Sequence, residues 1–207
     1  MEHKKQETLT IASIMDKEKY STVQRRTAQS VGAAILLVGT LSAIVFPLLG
    51  SLVASIGLIA IFFLDIVISL GIFNYYKSLK PKLAKTTALF RLLHTILLGV
   101  GAIYHIGGNV STFNKILGIG LIGFGIHLML LSSLFNQEHG KNWIHHLLKG
   151  LLIIGGIGYL ILHGGTLLLS NTNNFTALTE SLFIIPMIFG EVFFAFWMIL
   201  KEGRKHI

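Results

Sequence analysis

Long apolar runs separated by short polar breaks set the pattern of this chain. One apolar stretch continues over residues 31–76. That is more than twice the length that crosses a bilayer, about 20 residues at about 1.5 Å rise. Its natural break is PLLGS at 47–51, where Pro and Gly interrupt a helix. The pattern therefore predicts a first span over 31–46 and a second over 52–75. A third is expected over 87–106, a fourth over 116–135, a fifth over 150–169 and a sixth over 181–200. The breaks between them are the basic loop KSLKPKLAK (77–85), a short polar loop (107–115), a mostly polar segment (136–149) and SNTNNFTALTE (170–180).

The fold class expected is all-α, a polytopic membrane protein built as a bundle of six transmembrane helices. Residues 1–30 read as a polar cytosolic N-terminal segment, with a short interfacial helix at the weakly apolar patch 9–15. Residues 31–200 read as the membrane domain and residues 201–207 as a cytosolic tail. The first apolar run is far longer than the core of a cleavable signal, so the first span is expected to act as an uncleaved signal anchor.

Composition supports this and narrows the function. The chain is 53% hydrophobic and 13% charged, with mean hydropathy +0.73. A soluble domain carries roughly a quarter charged residues. Cysteine is absent, which excludes disulfides, thiol chemistry and Cys-based metal sites. The net charge of +8 raises nucleic acid as a partner, but the basic residues flank apolar runs and form no continuous patch. The lipid bilayer is the partner expected, with no nucleic acid and no cofactor. Of the 17 Lys and Arg, fifteen fall in the two terminal segments and the alternate loops 77–85 and 136–149. The opposite side has Lys115 alone, and Arg91 lies within the third span. The positive-inside rule then puts both termini in the cytosol.

Five ionisable side chains lie inside otherwise apolar stretches: Asp65, Arg91, His94, His127 and Glu191. A charge in hydrocarbon costs several kcal/mol unless it is paired, solvated or functional. With the orientation above, Arg91 lies about 6 Å and His94 about 10 Å above the cytosolic boundary, His127 about 12 Å, Glu191 about 14 Å and Asp65 about 15 Å. Separate helices thus bring ionisable groups to one layer of the cytosolic half. Arg91 and His94, three apart, share a helix face.

Three readings follow. In the first, Arg91 pairs with Asp65 or Glu191 and the histidines hydrogen-bond between helices, in a membrane scaffold or interaction protein. In the second, the five residues line a polar cavity open to the cytosol that binds a small molecule or lipid headgroup, or relays protons. There Arg91 attracts an anion, the acids balance it and the histidines titrate. In the third, His94 and His127 are weak candidate metal ligands which, with the two acids, serve an intramembrane metal-dependent hydrolase, although no metalloprotease spacing occurs among them. A shallower set, His105, Tyr104, Asn109 and His163, together with Trp143, His145, His146 and Trp197, reads as interfacial anchoring. GIGLIGFG (118–125) contains a G-x-G-x-x-G, but without a preceding strand it reads as close helix packing.

Four segments in register carry a family resemblance: YYKSLKPKLAKTTALFRLLHTILLGV (75–100), FGIHLMLL (124–131), LLIIGGIGYLI (151–161) and FGEVFFAFWMILKEG (189–203). Their order and spacing resemble a bacterial membrane family known as domain of unknown function 4386, from about Thr27 to the C-terminus. The matching positions are Lys80–Pro81, Arg91, His127, Gly158–Tyr159, Glu191 and Trp197. The resemblance implies six helices, a bacterial inner membrane and an unassigned role. The leading expectation is a non-enzymatic membrane protein that binds a small molecule or lipid, or couples transport to protons.

Overall fold

The computed structural model describes residues 2–49, 51–134, 143–169 and 173–200, without the side chains of 2–21 and 173. Helices dominate them: α1 (Glu2–Val45), α2 (Leu52–Tyr76), α3 (Pro81–Ile106), α4 (Val110–Leu134), α5 (Trp143–Leu168) and α6 (Asn173–Leu200). Six stretches are long and apolar enough to cross a membrane, the first of them Thr22–Leu48. Large apolar side chains lie on the outside of the bundle, among them Leu52, Ile56, Phe63, Ile103 and Ile185. A protein facing water rarely exposes so much contiguous apolar surface, and a bilayer absorbs it without cost. The chain is a multi-pass helical membrane protein.

Local chemistry sets the breaks. After α1 the chain tightens into a 3-10 turn, Phe46–Leu48, at Pro47. The Ser51 hydroxyl then accepts the Ala54 amide at 3.1 Å and caps α2. Pro81 opens α3, where its missing N–H costs nothing. Between α3 and α4, Gly108 takes φ +79°, and the Asn109 side chain accepts the Thr112 amide at 3.0 Å.

The predicted spans and the helices differ at their ends. Spans three to six begin at 87, 116, 150 and 181 in the apolar pattern, whereas α3 and α4 begin at Pro81 and Val110 and the described parts of α5 and α6 already run from Trp143 and Asn173. Hydropathy marks where a helix enters hydrocarbon, while helix formation continues into the polar flank until a breaker stops it. The same reason extends α1. Residues 2–31 contain neither Gly nor Pro, and the helix passes from Glu2 through position 31 without a break, where a short interfacial helix is expected. Among the described side chains of α1, Ala28 is the first that is fully buried.

Each helix packs on its neighbours in sequence, and α1 closes the ring on α6. The short connections make neighbours antiparallel, so the bundle has a basic end, with Arg25, Lys77, Lys80, Lys82 and Lys85, and a far end, with Pro47, Gly108 and Glu180. One core cluster fills the basic end and draws on all six helices, from Val31 and Ile72 to Leu131, Leu148 and Met198. A smaller cluster at the far end joins α1 to α4 only, through residues such as Val45, Leu58, Leu98 and Phe113.

Glycines set the closest approaches, as the packing reading of the Gly-rich spans expects. A Cβ on Gly125 would lie 2.6 Å from the Gly156 carbonyl oxygen, and the reverse distance is also 2.6 Å. These two glycines let α4 and α5 meet backbone to backbone. Gly155 does the same against the Pro186 carbonyl of α6, at 2.7 Å.

Candidate functional site

The five ionisable residues meet at one point inside the bundle. Arg91 of α3 is buried and lies at its centre. Its Nε and Nη2 both donate to Oδ1 of Asp65 on α2, at 3.1 and 2.6 Å. Its Nη1 donates to Oε1 of Glu191 on α6 at 2.7 Å and faces Nε2 of His127 on α4 at 3.4 Å. His94, one turn along α3, places Nε2 3.7 Å from the other Asp65 oxygen. Both readings of the arginine's partner are thus realised together: it bridges Asp65 and Glu191.

His127 is held at both nitrogens. Its Nδ1 lies 2.9 Å from the Thr87 carbonyl, which only accepts, so Nδ1 carries the proton. Nε2 is then free to accept from Arg91. Beneath the cluster lies Phe124, with the Arg91 guanidinium 5.3 Å from its ring centre. The rings of His94, His127 and Tyr159 surround Phe124 at 5.1, 5.7 and 5.2 Å. Gly120 leaves room for His94, since a Cβ there would lie 3.2 Å from Nδ1. Thr87, Gly120, Phe124 and Tyr159 carry no charge, so a search for ionisable residues passes over them. The helical spacing of Phe124 from His127 is the signal that points to the aromatic platform.

Burial divides the cluster. Asp65 is 2% exposed and Arg91 1%, while Glu191 is 19% exposed. The exposed part of Glu191 meets a cavity of about 720 Å³. Phe46, Pro47 and Glu180 line its outer part, so the cavity runs from the cluster toward the far end. The cavity thus runs away from the basic end, the end toward which the sequence reading expects it to open. At the basic end α1 and α6 are sealed: a Cβ on Gly32 would lie 2.5 Å from the Ala195 carbonyl oxygen, and Arg25 donates to the Ile199 carbonyl. Two turns further along α1, Gly39 has nothing within 4 Å of a Cβ. Ile184 and Ile188 on the matching stretch of α6 are 47% and 52% exposed and line the same cavity. The two helices diverge into a cleft whose mouth faces the side and the far end of the bundle.

Among the described residues no three His, Asp or Glu side chains converge to hold a metal ion. The Arg91 guanidinium stands between His127 and the acids, where a cation would have to bind, so the hydrolase arrangement does not fit. His105, His145 and Trp197 are buried and are not interfacial anchors. His105 lies between helices, with Nδ1 3.2 Å from the Ser55 hydroxyl, and His145 packs edge-on to Trp197 at 5.8 Å. Trp143 is 70% exposed, as an anchor requires.

Residues 108–201, which span α4 to α6, match the family described as Domain of unknown function (DUF4386). An uncharacterized protein from the archaeon Archaeoglobus fulgidus is 30% identical over 151 residues, covering 72% of this chain and 83% of that protein. The chain belongs to the DUF4386 family. The family segment contributes His127, Phe124, Tyr159 and Glu191 to the site, whereas Asp65, Arg91 and His94 come from α2 and α3, before it. No solved structure matches the chain significantly.

Proposed function

We propose that this DUF4386 protein binds a membrane-dissolved amphiphile in the cleft between α1 and α6. The observation that carries this reading is the cavity of about 720 Å³ with the partly exposed Glu191 at its inner end. Ligand sites are clefts of about 300–1,000 Å³, mostly apolar, with few polar groups that fix orientation. This cleft has that make-up, with aliphatic walls from α1 and α6 and one charged cluster. A hydrophobic ligand can enter sideways from lipid and bring its polar group to the cluster. In this reading both termini face the cytosol, by the distribution of Lys and Arg, and the mouth lies in the outer half of the cytoplasmic membrane, the inner membrane of a bacterium.

A proton relay through the five residues has less support. His127 is engaged at both ring nitrogens, and the basic side of the cluster is packed apolar core. A relay needs an onward polar path there.

Photolabelling tests the proposal. A neutral aryl diazirine in nanodiscs should label Ile184 and Ile188 in a saturable manner, and excess unlabelled compound should remove that label. Phe63, on the outside of the bundle, should label without saturation. If the cleft positions behave like Phe63, they meet bulk lipid only and the proposal fails.

A further inference from the structure

The cleft carries the opposite sign to the rest of the molecule. The chain has a formal net charge of +8. The cavity, by contrast, is lined by three carboxylates, Asp65, Glu180 and Glu191, against Arg91 as its one Lys or Arg and His94, whose Nε2 lies 3.7 Å from Asp65. Every Asp and Glu whose side chain is described faces this one space.

Arg91 has little to offer an incoming anion. Its Nε and Nη2 are directed to Asp65, its Nη1 to Glu191 and His127, and its flat face to Phe124. The guanidinium balances one carboxylate, and acid remains in excess. Glu180 and Glu191 are eleven positions apart on α6, three turns, so they share a face about 16 Å from end to end. Ile184, Met187 and Ile188 fill the stripe between them. Opposite, α1 presents Gly39, Ala43 and Phe46. The cleft is therefore an apolar slot with a carboxylate at its mouth and another at its floor.

We propose that the cleft selects cationic amphiphiles over anionic ones. The cationic head reaches Glu191, the apolar body lies along the α1–α6 walls, and Glu180 concentrates cations at the entrance. An anionic head would meet uncompensated carboxylate where water is scarce and repulsion is weakly screened. This assignment rests on the amphiphile-binding reading and adds the charge of the ligand to it.

Tetraphenylphosphonium and tetraphenylborate are near-equal in size and shape and opposite in charge, which makes them a direct probe. Each is titrated against diazirine labelling of Ile188 in phosphatidylcholine nanodiscs, with free concentrations corrected against protein-free discs. The cation should displace the label at a free concentration at least about tenfold below that of the anion. Glu191→Gln keeps an acceptor for Arg91 and should bring the two ions to within about threefold. Glu180→Gln, at an exposed position, should narrow the preference by about twofold and serves if the Glu191 variant does not fold. Saturable labelling that the anion displaces as well as the cation does overturns the charge assignment and leaves amphiphile binding standing. Labelling that no competitor displaces overturns both. A preference unchanged in both variants overturns the role given to the two glutamates.

Discussion

At its basic end the bundle is closed by six helices, and at its far end by four. The same α1 and α6 form both regions. Where Gly32 meets Ala195 the helices touch, and Arg25 ties α1 to the last turn of α6. Where Gly39 faces open space they do not. In lipid no hydrophobic force pulls two apolar helix faces together, so contact depends on close packing and hydrogen bonds. A small residue opposite a small residue closes the interface, and a small residue opposite nothing leaves a hollow. The ion-pair cluster sits at the boundary between the two regimes. Arg91 ties α2, α3 and α6 together there, where the cleft opens.

The most severe way to break the contrast is to remove that bond. Arg91→Leu leaves Asp65 buried without its partner and frees Glu191. It should cost about 3–5 kcal/mol, enough to unfold much of the protein in mild detergent. Adding Asp65→Asn removes the stranded charge and should recover stability relative to the single variant. Tryptophan fluorescence during detergent-denaturant titration measures both. If the double variant is no better than the single, the arginine serves something other than charge balance.

A smaller effect is expected at the sealed end. In Gly32→Ala the new Cβ has only 2.5 Å to the Ala195 carbonyl and 2.6 Å to the Ile199 side chain. The isoleucine can turn away, but the backbone must shift. A loss of about 1–3 kcal/mol in the same titration follows. No loss would mean that α1 and α6 are less tightly joined than their geometry indicates.

These two sites also mark how far the sequence could be read. The six helices were legible because apolar length is nearly sufficient to define a span. The cluster was legible in part for the same reason: charge in hydrocarbon stands out, and equal depth brought Asp65, Arg91, His94, His127 and Glu191 into one layer. Of the uncharged half of the site, Tyr159 showed only as a family position and Gly120 only as part of a Gly-rich run, and Thr87 and Phe124 were hidden because such residues are ordinary in any span. The direction in which the cavity runs was not legible. Depth from the nearer membrane face suggested an opening toward the basic end, but openings depend on which helix faces touch. Gly32 and Gly39 are the same letter, seven positions apart on one face of α1. What distinguishes them is the residue across the gap, which a linear pattern does not contain. The buried His105, His145 and Trp197 escaped for a related reason, since depth near an interface does not say whether a side chain points to lipid or to the bundle.

Gly39 gives the smallest effect and the clearest separation of the two ends. Gly39→Ala puts a methyl group into open space and removes the helix penalty of glycine. It should therefore stabilise the protein by about 0.5 kcal/mol, opposite in sign to Gly32→Ala on the same helix. Its labelling at Ile188 should be unchanged, because a methyl does not fill a cavity of about 720 Å³. Gly39→Leu then separates room from stability. The larger side chain projects into the cleft, meets no backbone and should leave folding intact, yet it should cut saturable labelling at Ile188. If Gly39→Leu destabilises as Gly32→Ala does, α1 and α6 close at both ends in the membrane and there is no cleft. If it neither destabilises nor reduces labelling, the space is present but the probe binds elsewhere. Stability retained with labelling lost is the one result that ties the hollow beside Gly39 to a ligand.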